Sequence, residues 1–127
     1  MNGARTAFVL SEAERSAAKK GQFVRVPLGM AVEMRDGSLA ESALVGWVDG
    51  ELRAFANLCR HQAIALDARA ADEDDGVMAE DRIHLFCHAH GAIYRPTDGA
   101  CVTGPCVGAR LFAFRAEETS DGVALWL

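Results

Sequence analysis

At 127 residues, half of them hydrophobic and 24% charged, the chain has room for one modest buried core and an ordinary water-facing surface. Its net charge of −5 argues against nucleic acid as a partner, and no apolar run approaches a membrane span or a secretory h-region. The expected setting is the cytoplasm, where four cysteines stay reduced and serve metal binding or chemistry rather than disulfides.

Charge is unevenly spread. Residues 1–35 carry six basic and three acidic side chains, and residues 36–127 carry seven basic and fifteen acidic ones. Ser11-Glu12-Ala13-Glu14 has the spacing of a capping box, followed by the helix formers Ala17, Ala18, Lys19 and Lys20 and a stop at Gly21. A short helix over 12–19, or an N-terminal arm over 1–21, is expected.

Beyond Gly21 the period changes. Gln22–Val26 and Met30–Arg35 read as short strands separated by Pro27 and Gly29, with a turn at Asp36-Gly37. Ala43–Val48, Asp49-Gly50 and Glu51–Asn57 form the clearest hairpin, because Asp-Gly suits the positive φ values of a type I′ turn. Leu44, Gly46 and Val48 share one face, with Val45 and Trp47 on the other. Leu52, Ala54 and Ala56 oppose Arg53, Phe55 and Asn57.

Ile83–Phe86 and Ala92–Arg95 are further short strands, with a turn at Pro96–Gly99. Ala109–Arg115 alternates and is expected to pair with Val123–Leu127 as a final hairpin across Asp121-Gly122. Strands so short and frequent predict an all-β sandwich or barrel, one domain over 1–127. Residues 67–82 hold seven acids against two arginines and few large apolar side chains, which reads as a surface loop.

Two strand ends carry the chemistry. Cys59-Arg60-His61 follows the strand ending at Asn57, and Cys87-His88-Ala89-His90 follows the strand ending at Phe86. Two thiolates and two imidazoles at loop tips suffice to hold a metal centre. Zinc sites usually group a Cys pair in one arm and a His pair in the other, whereas here each arm offers one of each. In a binuclear cluster thiolates hold one iron and imidazoles the other, so each arm would contribute to both irons. A zinc-stabilised interaction module using the same four residues is the competing reading.

These residues resemble the Rieske ferredoxin family. The match runs through C-x-H at 59–61, C-x-x-H at 87–90, Gly91-Ala92-Ile93-Tyr94, Thr97-Asp98-Gly99-Ala100-Cys101 and Gly104-Pro105, and spans about residues 22–127. The resemblance implies an antiparallel β sandwich with a cluster-binding loop subdomain. It implies a Rieske-type [2Fe–2S] cluster with Cys59, His61, Cys87 and His90 as iron ligands, in preference to His84 or His88. One departure is the gap of 25 residues between His61 and Cys87, longer than the family's habit and matching the acidic loop. A longer loop costs little closure entropy.

The family's high-potential members place a disulfide at positions occupied here by Ile64 and Ala89, and a serine where Ala92 stands. Tyr94, which in those members bonds a cluster or ligand sulfur, remains. Hydrogen bonds to sulfur favour the reduced state, so a disulfide-free site lacking one of them is expected at the low end of the Rieske range, about −150 to +300 mV. Cys101 and Cys106 read as small buried hydrophobes near the cluster loops, with a redox role for the pair as the alternative. Arg60 and Gln62 are expected to reach solvent or a partner; the acidic loop with Asp72–Asp75 reads as a solvated insertion, with steering of a basic partner as the alternative.

The resemblance implies a stand-alone electron carrier between a reductase and an acceptor such as an oxygenase. Only residues 1–21 lie outside the match, too few for the mononuclear-iron domain of a Rieske oxygenase. The chain also lacks a dinucleotide fingerprint for drawing electrons from NAD(P)H itself. A small Rieske subunit of a larger enzyme, of the nitrite-reductase kind, is the alternative.

Overall fold

The computed structural model describes residues 5–70 and 76–127. Six strands, β1 (Thr6–Val9), β2 (Val24–Glu33), β3 (Leu39–Val48), β4 (Glu51–Ala56), β8 (Ala113–Glu118) and β9 (Gly122–Trp126), form an antiparallel sheet in the order β1-β9-β8-β4-β3-β2. Three short strands, β5 (Leu85–Phe86), β6 (Ile93–Tyr94) and β7 (Cys101–Thr103), make a second antiparallel sheet. The expected all-β architecture with a loop subdomain is present. The larger sheet is barrel-like.

The one helix, α1 (Glu12–Lys19), falls where the capping box predicts it. Ser11 Oγ accepts from the Glu14 N–H at 3.1 Å, and the Glu14 carboxylate accepts from the Ser11 N–H at 2.9 Å. Ala18 is fully buried against the sheet, Lys19 lies over the Trp47 ring, and Arg15 and Lys19 both pair with Glu118.

The β3–β4 hairpin organises the molecule because both of its faces are buried. Val45, Trp47, Ala54 and Ala56 join Val26, Val32, Phe114, Val123 and Leu125 in the core of the six-stranded sheet. Leu44 and Phe55, on the opposite face, join Leu66, Leu85, Tyr94 and Leu111 under the smaller sheet. At about 1.5–3 kcal/mol for each fully buried large side chain, this hairpin ties the two layers together. Asp49 (φ 52°) and Gly50 (φ 79°) both take the positive φ of the type I′ turn.

Several boundaries differ from the sequence reading. The strands read at Gln22–Val26 and Met30–Arg35 merge into one, β2 (Val24–Glu33), with a bulge between Pro27 and Val32 that absorbs the proline and glycine. β1 falls within the stretch read as an arm; four residues are too few to show an alternation. The final hairpin lies further along: Arg115–Glu118 pairs with Val123–Trp126, while Leu111 is spent covering the smaller sheet. β7, three residues long, has no counterpart in the sequence reading. Within loop 67–82, Val77, Met78 and Ala79 are buried, Phe86 N–H donates to the Val77 carbonyl at 2.8 Å, and Met78 bridges Leu85. Its second half is therefore packed onto β5 and is not plain surface. Asp72–Asp75 lie outside the described residues. No helix among those described is long and apolar enough to cross a membrane.

Candidate metal centre

Asn57 follows directly on β4 and closes the first loop at its base. The amide is 2% exposed, accepts from the Leu66 N–H at 2.9 Å, and donates to Ser42 Oγ at 3.0 Å and Asp67 Oδ1 at 3.2 Å. Inside the loop the Cys59 N–H donates to the Ile64 carbonyl at 2.7 Å. Residues 58–65 are thereby held as a fixed projection. In the sequence Asn57 reads only as a strand end, because a polar residue beside C-x-H is a weak signal.

β5 delivers the second loop. Cys87 N–H donates to the Ala92 carbonyl at 2.9 Å, and Gly91 N–H returns to the Cys87 carbonyl at 3.0 Å. His88 N–H donates to the Leu66 carbonyl at 3.0 Å, locking the two loops to each other. A third segment, 103–109, packs over the second loop: a Cβ at Gly104 would stand 2.8 Å from Ala92 Cα, and Gly104 has φ +107°. Only glycine allows that approach.

The four expected donors form two pairs. Cys59 and Cys87 are buried; the neighbouring Cys87 thiol, with Tyr94, pulls the Cys59 thiol down to about 5 against the effect of burial. The neighbouring Cys59, with burial, pushes Cys87 up. His61 and His90 are exposed, with Nδ1 atoms 3.2 Å apart and rings edge to face at a centroid distance of 4.6 Å. Both Nδ1 atoms thus face into the site.

The other histidines are engaged elsewhere. His88 Nε2 lies 2.9 Å from the Gly76 carbonyl, and His84 Nδ1 lies 2.6 Å from Asp81 Oδ2. The Tyr94 hydroxyl sits 3.3 Å from Cys59 Sγ and 3.1 Å from Cys106 Sγ, and accepts from the Arg60 N–H at 2.9 Å. Burial, reinforced by these sulfurs, keeps the phenol protonated. Arg60, expected to reach solvent or a partner, also donates to the Arg110 carbonyl at 2.6 Å and lies 4.2 Å over the Phe112 ring.

A family model described as the Rieske [2Fe–2S] domain matches residues 15–116. The chain belongs to the Rieske [2Fe–2S] domain family. No curated protein sequence matches it. Among solved structures, a carbazole-bound oxygenase–ferredoxin complex of carbazole 1,9a-dioxygenase aligns at 18% identity and TM-score 0.63, over 99% of this chain and 28% of the matched one. The terminal oxygenase of carbazole 1,9a-dioxygenase from Nocardioides aromaticivorans IC177 aligns at 19% identity and TM-score 0.62, over 99% and 30%. The ferredoxin of that system aligns at 20% identity and TM-score 0.54, over 98% of this chain and 97% of its own. This chain spans less than a third of the first two matched chains, and all three likenesses are of fold.

The residues fit the Rieske family's cofactor, a [2Fe–2S] cluster in which two thiolates and two imidazoles serve different irons. The structure offers a buried thiol pair and an exposed imidazole pair, each drawn from both loops.

Proposed function

We propose that Cys59, His61, Cys87 and His90 ligate a Rieske-type [2Fe–2S] cluster, and that residues 1–127 act as one electron-carrying domain. The observation that carries this reading is the facing pair of exposed imidazoles above a buried pair of thiols. When bound, the cluster takes up and releases one electron at a time.

The chain's own residues divide the work. Cys59 and Cys87 would hold one iron on the protein side, where burial excludes water. His61 and His90 would hold the other through Nδ1, leaving their outer edges open to a partner. Tyr94 donates toward sulfur, and Leu66, bonded by both Asn57 and His88, keeps the loops apart at a fixed spacing.

The partners we propose are a reductase and an oxygenase-like acceptor, by analogy with the carbazole dioxygenase complexes, in a cytoplasmic setting that keeps the cysteines reduced. Stopped-flow mixing tests this. The reduced protein should be reoxidised by a Rieske oxygenase in a second-order reaction that slows when His90 is replaced by Cys. Reoxidation at the rate of a buffer blank would refute the carrier role.

A further inference from the structure

The two cysteines outside the candidate centre are not independent hydrophobes. Cys101, on β7, and Cys106, in the segment over the second loop, have sulfurs 2.9 Å apart, with the Cys106 thiol donating to Cys101. Backbone bonds hold them there: Cys101 N–H donates to the Ala109 carbonyl, and Ala109 N–H to the Cys106 carbonyl, each at 2.9 Å. Four residues separate the two cysteines, and Val102, Thr103, Gly104 and Pro105 are all exposed. A disulfide needs sulfurs about 2.05 Å apart, so closure asks for less than ~1 Å of travel in a short surface segment.

We propose that Cys101 and Cys106 are a modification site: a dithiol that a peroxide converts reversibly to a disulfide, beside the centre and distinct from positions 64 and 89. Cys106 is the more exposed of the two, at 8% against 4%. Its thiolate takes one oxygen from hydrogen peroxide, becoming a sulfenic acid and releasing hydroxide. The Cys101 thiol then attacks that sulfur, the S–S bond forms, and water leaves. Overall two thiols lose two hydrogens and one peroxide becomes two waters.

The Tyr94 hydroxyl links this pair to the centre, since it lies between Cys106 and Cys59. Its single proton serves two sulfurs in the dithiol form. Disulfide formation draws the Cys106 sulfur toward Cys101 and leaves Cys59 as the better acceptor, so oxidation of the pair strengthens the bond at Cys59.

Peptide mapping tests the site without depending on the cluster. The holoprotein is treated with a small excess of hydrogen peroxide, alkylated in denaturant and cut before aspartate, giving a 98–120 fragment that contains Cys101 and Cys106 but neither Cys59 nor Cys87. The fragment should be lighter by two hydrogens and unalkylated, and should take two alkyl groups after a dithiol reductant. Cys101→Ser should abolish the linked species. A wild-type fragment that still takes two alkyl groups, or that carries only sulfinic acid, overturns the proposal. The midpoint potential should rise on oxidation of the pair, and this rise should vanish in Tyr94→Phe; an unchanged potential refutes the link to Cys59.

Discussion

The Tyr94 hydroxyl lies 3.3 Å from Cys59 Sγ, and burial keeps its proton in place for donation. A donor to a ligand sulfur stabilises the more negative, reduced form. Removing a net hydrogen bond of about 1 kcal/mol corresponds to ~40 mV in a one-electron couple. Tyr94→Phe should therefore lower the midpoint potential by about that much while the visible spectrum persists. A redox titration with unchanged midpoint would remove Tyr94 from the tuning of the site.

Gly104 and Gly91 both have positive φ, but only Gly104 is pressed against a neighbour. Gly91→Ala meets open space and should cost about 1–2 kcal/mol for the left-handed backbone alone. Gly104→Ala adds overpacking against Ala92, so about 2–5 kcal/mol in total is expected. Thermal melting of the two variants should rank them clearly in that order.

Asn57 is a buried side chain that holds the first loop through three hydrogen bonds. Asn57→Ala strands the Leu66 N–H and should destabilise by about 1–3 kcal/mol. It should also speed release of iron to a chelator, measured as bleaching, because the spacing between the loops is no longer fixed. Equal bleaching rates would show that the second loop alone sets it.

Asp81 accepts from the His84 and Ile83 N–H groups and the His84 ring, which hold its carboxyl at about 2 against an unperturbed 3.8. The folded value lies below the unfolded one, so its contribution is present above about pH 4 and is lost as the pH falls through about 2. In acid titrations followed by denaturant midpoint, Asp81→Asn should be less stable than wild type near neutrality. The difference should shrink between about pH 4 and 2. A constant difference would contradict the assignment.

Much of this molecule is legible in local sequence because its main devices are local. The capping box at Ser11–Glu14, the Asp49-Gly50 turn and the spacing of C-x-H and C-x-x-H each lie within a few consecutive residues. What escaped depends on contacts across the chain. β1 exists because it pairs with β9, more than a hundred residues away, and Val77–Ala79 are buried only because β5 returns beside them. Asn57 and the Cys101–Cys106 contact follow the same rule: neither shows a periodicity, and their partners are set by the fold. The contacts of Arg60 are hidden in the same way, because Phe112 and the Arg110 carbonyl are distant in sequence.

The ligand assignment itself is tested most directly by iron and sulfide analysis with pulsed EPR on the reduced, anaerobically purified protein. Two irons and two acid-labile sulfides per chain are expected, with hyperfine coupling to two imidazole nitrogens. One nitrogen should be lost in His61→Cys and one in His90→Cys, and neither in His84→Gln or His88→Gln. A colourless protein holding one zinc per chain, or coupling that survives both ligand replacements, would contradict the account.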